Sequence, residues 1–88
     1  MQRVARASKA IGEDVRQLFG DRVRDMRHRL GISQEELAHR AGLDRTYVSS
    51  LERGHRNVAL ENICRLADGL AVDPGDLVAG LPTPTRLN

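Results

Sequence analysis

Aromatic and sulfur-bearing residues are nearly missing from this chain of 88 residues: one Phe, one Tyr, no Trp, one Cys and two Met. The apolar content therefore comes almost wholly from Leu, Val, Ile and Ala, which suits a bundle of short helices better than a sandwich or barrel. A lone cysteine, Cys64, excludes an internal disulfide framework and fits a reducing, cytoplasmic setting. It lies in an apolar helical pattern, so its thiol is expected to be buried and inert. No apolar run approaches the roughly 18 residues of a membrane span. Arg3 and Arg6 have no apolar stretch behind them of the kind a secretory signal needs. His28, His39 and His55 lack ligand spacing, and no Cys or carboxylate cluster sits beside them, so neither metal nor cofactor is expected. A chain this short makes one domain that buries only about 60% of its unfolded surface. It has no volume to spare for a deep catalytic pocket, and no small-molecule substrate is expected.

Charge is present but unevenly spread. Residues 1–30 carry eight basic against four acidic side chains, residues 31–57 four of each, and residues 58–88 two basic against four acidic. A basic front and a mildly acidic tail suit a protein that offers one end to a polyanion.

Residues 1–12 lack clean apolar periodicity and read as a basic arm. Residues 13–80 read as the folded domain, and 81–88, with Pro82 and Pro84, as a tail. Val15, Leu18, Phe19, Val23, Met26 and Leu30 recur at helical spacing, with Gly20 a weak point inside and Gly31 a left-handed stop. Ser33 with Glu36 forms a capping box for a short helix that ends at Gly42. Asp44 caps a third helix that stops at Gly54. Leu60, Ile63, Cys64, Leu66, Ala67 and Leu70 mark a fourth, and Asp73-Pro74 opens a fifth. Helices are predicted near 14–30, 34–41, 45–52, 60–70 and 74–79, an all-α five-helix bundle without strands.

The informative stretch is Gln34 to Leu51. Two helices joined by a three- or four-residue turn pack near perpendicular only if the crossing residue is small, the turn tolerates positive φ and the inward positions are apolar. Ala38, Gly42, and Leu37, Ala41, Leu43, Val48 and Leu51 meet those three demands in register. The result is a helix-turn-helix.

Ile32-Ser33-Gln34-Glu35-Glu36-Leu37-Ala38 and Ala41-Gly42-Leu43-Asp44-Arg45-Thr46-Tyr47-Val48-Ser49 resemble the phage-repressor and Cro (XRE-type) helix-turn-helix family, over about Phe19 to Leu77. Leu43 to Tyr47, with Glu52-Arg53 and Arg56-Asn57, is closest to the restriction–modification controller proteins. Ala59 departs from the family, which usually caps the fourth helix with Ser or Thr. The resemblance implies a non-enzymatic, DNA-binding transcriptional regulator.

In such a motif the second helix enters the major groove and the first crosses the backbone. Asp44, Arg45, Thr46, Ser49 and Ser50 point outward near the start of that helix and are the candidate base readers. Arg45 leads, because a bidentate arginine–guanine contact is the commonest specific pairing; a solvated surface charge, with or without Asp44 as a partner, is the plainer alternative. The resemblance implies that Gln34, Arg53, His55, Arg56 and Asn57 hold phosphates. Two roles stay open for Tyr47: a core ring, or a ring whose hydroxyl also reaches a phosphate. The resemblance also implies a structural ion pair between Arg27 and Glu52, against the alternative of two exposed charges that never meet.

One helix reads only a few base pairs, so a homodimer on two related half-sites of double-stranded DNA is expected. Val72, Leu77, Val78 and Leu81 exceed what a small core needs and form the candidate interface. Other functions fit less well. An enzyme built on Ser49, Ser50 and His55 would lack an oxyanion site. An antitoxin-like or adaptor protein-binding module would need more than the short, weakly apolar stretch 78–88.

Overall fold

The computed structural model describes residues 13–84; the predicted arm at 1–12 and the last part of the tail, 85–88, lie outside the described residues. Five helices follow one another: α1 (Glu13–Leu30), α2 (Gln34–Ala41), α3 (Arg45–Glu52), α4 (Leu60–Leu70) and α5 (Pro74–Val78). No strand occurs among the described residues. α2 packs on both α4 and α3, while α1 lies across α3, α4 and α5. One core holds them, centred on Val23, Leu37, Val48, Leu51, Leu66, Leu70 and neighbours.

Chain reversals fall where the local chemistry asks for them. Gly31 and Gly42 adopt φ of 70° and 69°, the left-handed region that a Cβ disfavours. Ser33 caps α2 by accepting from the Glu36 amide at 3.0 Å. The reciprocal half of that capping box is not made. Glu36 instead accepts from Arg40 Nε one turn on, at 2.9 Å, because a cation at i+4 outbids a neutral amide. Asp73 caps α5 by accepting from the Gly75 amide at 3.0 Å, with Pro74 at the first helical position.

The predicted weak point, Gly20, is a packing site. A Cβ there would collide with the Leu51 carbonyl oxygen and stand 2.9 Å from that of Glu52, so only glycine lets α1 lie this close to the end of α3.

Four expectations need correcting. Leu18 and Leu30 continue the apolar spacing of α1 yet are exposed, because the buried stripe runs through Phe19, Val23 and Arg27. Cys64 is exposed rather than buried. Ile63, Leu66, Ala67 and Leu70 face inward from α4, and one residue is about 100° of helical rotation, which turns Cys64 outward with Leu60. Leu77 drops out of the candidate dimer surface: it is fully buried, the residue by which five-residue α5 anchors in the core. The last turn of α5 ends at Val78, one residue earlier than expected, where Arg22 donates to the carbonyls of Leu77 and Ala79 at 3.1 and 2.8 Å.

Candidate nucleic-acid interface

α3 sets Val48 and Leu51 into the core, which turns the other side of its first turn to solvent. Asp44, Arg45 and Thr46 are exposed there, and Ser49 and Ser50 are half-exposed behind them. Asp44 takes the N-cap backbone position, but its carboxylate makes no cap hydrogen bond. Its carbonyl instead receives the Val48 amide at 3.1 Å, and the charged side chain stays in water. Arg45 and Thr46 have no side-chain hydrogen bond or ion pair among the described residues, so the alternative of an Arg45–Asp44 pair is not realised.

The far end of α3 is locked. Glu52 is 1% exposed and Arg27 8% exposed. Arg27 donates to the Glu52 carboxylate from Nε at 2.7 Å and from Nη2 at 2.9 Å, a two-pronged charge-assisted contact. Its Nη1 donates to the Ile32 carbonyl at 2.9 Å, tying in the turn before α2. The hydrogen bond to Glu52 holds the Arg27 guanidinium above its ordinary pKa, against the opposing effect of burial and with the help of the carboxylate's charge. Arg27 and Glu52 therefore meet in the interior. Arg24, a residue the sequence did not single out, donates to the Glu52 carbonyl at 3.3 Å and lies 3.9 Å from its carboxylate. Its sole sequence mark is its place one turn before Arg27, on a helix rich in arginine.

Gln34 is half-buried and faces this network, donating from Nε2 to Glu52 Oε1 at 3.0 Å. Its side chain thus links the head of α2 to the tail of α3. The first backbone amides of α2 have no intrahelical acceptor, as at any helix start.

Beyond α3 the loop presents Arg53, His55, Arg56 and Asn57, all exposed. Arg53 Nη1 donates to Ser49 Oγ at 2.8 Å and Arg56 Nε to Ser50 Oγ at 3.2 Å, so the two serines hold the loop's arginines. The Arg56 guanidinium also lies 5.4 Å from the centroid of the Tyr47 ring, within cation–π range. That ring packs on the core, and its hydroxyl accepts from Asn62 Nδ2 at 3.2 Å. Arg27, Gln34 and Glu52 come together at one end of α3, and Ser49, Ser50, Arg53, Arg56 and Tyr47 along its flank.

Of the remaining interface candidates, Val72 is half-buried against the core, Val78 is 39% exposed and Leu81 half-buried. Val78 and Leu81 join Val15, Phe19, Val58 and Ile63 around an open apolar cleft of about 140 Å³. Arg16 and Arg56 line it too, and Arg16 Nε is buried with no hydrogen-bond partner among the described residues.

Comparison with known proteins matches residues 23–77 to the helix-turn-helix family. The chain is 47% identical over 66 residues to the control protein C.BamHI of Bacillus amyloliquefaciens, covering 74% of this chain and 82% of that one. Among solved structures, the restriction–modification controller protein C.AhdI from Aeromonas hydrophila is 50% identical, with a TM-score of 0.69 over 70% of this chain and 94% of that one. The restriction–modification controller C.Esp1396I, solved as a tetramer in complex with its natural 35-base-pair operator, is 32% identical, with a TM-score of 0.65 over 67% of this chain and 78% of that one. The chain belongs to the XRE-type helix-turn-helix family, which it shares with the controller proteins of restriction–modification systems.

Proposed function

We propose that this protein is a sequence-specific, double-stranded-DNA-binding transcriptional regulator that acts as a homodimer, of the restriction–modification controller kind. One observation carries the reading: α3 has a free, exposed start bearing Arg45 and Thr46 and an end pinned by the buried Glu52 network. A helix held at one end and unencumbered at the other is built to be inserted at a fixed angle. In this reading Arg45 reads guanine, with Asp44, Thr46, Ser49 and Ser50 along the groove face. Gln34, Tyr47, Arg53, His55, Arg56 and Asn57 hold phosphates, which position without specifying. The unit 13–80 is the DNA-binding domain, and the arm at 1–12 adds positive charge to its approach.

The second copy covers the apolar cleft around Val78 and Leu81, and Val72 contributes its half-exposed side chain to the same interface. Arg16 Nε, buried with no hydrogen-bond partner among the described residues, supports a surface that is completed by a partner, since buried donors are rarely left orphaned. The operator then carries two related half-sites about one helical turn apart. The tetramer of C.Esp1396I on its operator supports oligomeric binding here. The protein acts in the cytoplasm and does no catalysis; regulation through DNA occupancy requires none.

The test is a duplex selected from a random library on the full chain, then titrated at several salt concentrations beside random duplex. Arg45→Ala is expected to weaken the selected duplex by about 1–3 kcal/mol and hardly touch random DNA. Arg56→Ala should weaken both together and flatten the slope of log affinity against log salt by about one unit. An equal loss on both duplexes for Arg45→Ala would make Arg45 a phosphate contact instead.

A further inference from the structure

Behind Tyr47 runs a chain of hydrogen bonds with a direction. Arg65 Nη1 donates to Asn62 Oδ1 at 3.0 Å, and Asn62 Nδ2 donates to the Tyr47 hydroxyl at 3.2 Å. A guanidinium can only donate, so Arg65 fixes which end of the Asn62 amide faces it. Turning the amide round would set a nitrogen donor against a guanidinium donor. With Oδ1 committed to Arg65, Nδ2 must face Tyr47, and the phenol oxygen must accept. The hydroxyl proton is then left to be donated elsewhere. Arg56 over the ring face and the core beneath keep the ring from swinging away.

We infer that Asn62, oriented by Arg65, is a positioning residue for DNA binding: it makes the Tyr47 hydroxyl an outward donor to an acceptor oxygen on the duplex. This rests on the DNA-binding reading above. Both residues lie on α4, outside the helix-turn-helix pair itself. A hydroxyl that accepts one hydrogen bond is polarised to donate the next more strongly, so the chain acts in the same sense as the contact it prepares. Were the amide reversed, Asn62 Oδ1 would take the Tyr47 proton, and the hydroxyl would meet a phosphate with lone pairs alone.

The experiment is a double-mutant cycle on the full chain, with the duplex selected on the wild type as probe. Asn62→Asp replaces the donor with an acceptor that draws the Tyr47 proton inward. It is expected to weaken binding about tenfold, the scale of one hydrogen bond to a charged group. Tyr47→Phe should cost a similar factor, and in that background Asn62→Asp should change affinity only by its added charge, about twofold. A second route reaches the same amide from an exposed position. Arg65→Glu invites Asn62 Nδ2 to turn toward residue 65, and its effect should likewise shrink several-fold once Tyr47 is Phe. Thermal midpoints of each variant identify losses that are merely structural. Equal losses with and without the Tyr47 hydroxyl, in both cycles, overturn the relay while leaving DNA binding standing. A wild-type chain that selects no sequence and binds no duplex overturns the DNA-binding reading, and the relay with it.

Discussion

The end of α3 and the end of α4 close two helices of the same small domain, and they are built in opposite ways. At the end of α3, Glu52 receives two bonds from Arg27 and one from Gln34, Arg24 reaches its carbonyl, and Gly20 lets the α1 backbone press against it. At the end of α4, Ala71 sits at φ 59°, the sole non-glycine residue with positive φ among the described residues. The start of α4 is no better provided, since Ala59 offers no side-chain cap, and Leu60 is 75% exposed on the first turn. Specific order is concentrated where it sets the angle of α3; in α4 the side-chain hydrogen bonds fall at Asn62 and Arg65, and neither end of the helix is capped by a side chain.

The largest effect should come from breaking the α3 lock. Glu52→Ala leaves the Arg27 guanidinium buried without its partner, and removing one member of a buried pair costs about 3–5 kcal/mol. For a domain this small that is most of its stability, so urea unfolding should show a collapse in midpoint. Replacing both members, Arg27→Met with Glu52→Leu, should cost less than either single change, because no stranded charge remains. A Glu52→Ala variant that loses under about 1 kcal/mol would erase the contrast between the two helix ends.

Gly20 offers the next test, because two effects of opposite sign meet there. In an open helix, Gly→Ala stabilises by about 1 kcal/mol. Here the added Cβ would meet backbone oxygens of Leu51 and Glu52, which cannot rotate aside as a side chain can. Gly20→Ala should therefore destabilise by about 1–3 kcal/mol, the usual scale of overpacking. A gain in thermal midpoint would show that α1 and α3 are less tightly joined than the contact implies.

Residues that answer to local rules were legible in the sequence. Ser33, Gly42 and Asp73 each have a helix-end requirement that can be read from their neighbours, and the helix bounds followed. Ala38 was legible because a crossing helix demands a small residue at that register. Gly20 was misread as a weak point because its reason lies 31 residues away, in the backbone of Leu51. Cys64 and Leu60 share a helical face that looks as apolar as the face of Ile63 and Leu66, and only the position of α2 and α5 decides which turns inward. Leu77 was assigned to the surface by the same ambiguity. Asn62 and Arg65 carry no sequence mark, since their meaning arises from Tyr47 fifteen residues earlier. In the candidate interface, the exposure of Arg45 and Thr46 and the joining of Arg27 to Glu52 were legible, whereas the ties from Ser49 and Ser50 to the loop arginines were not.

The smallest expected changes are gains, and they probe the other side of the comparison. Ala71 is exposed, so replacing it with Gly removes little packing and relieves a left-handed conformation that costs a Cβ residue about 1–2 kcal/mol. Part of that is returned to the unfolded chain, which a glycine makes more flexible, so Ala71→Gly should stabilise by about 0.5–1 kcal/mol. Ala59→Ser supplies the missing cap at the other end, worth about 1 kcal/mol. The two sites are separated by the eleven residues of α4, roughly 16 Å, so the gains should add. Urea midpoints of the two single variants and the double variant measure this directly. Affinity for the selected duplex should stay unchanged in all three, because Ala71 lies beyond the far end of α4 and Ala59, the last residue of the loop after α3, changes only in a side chain that caps α4. A gain in stability accompanied by a change in affinity would mean that the α4 region helps to set the angle of α3. The division drawn between a locked end and a merely packed one would then be wrong.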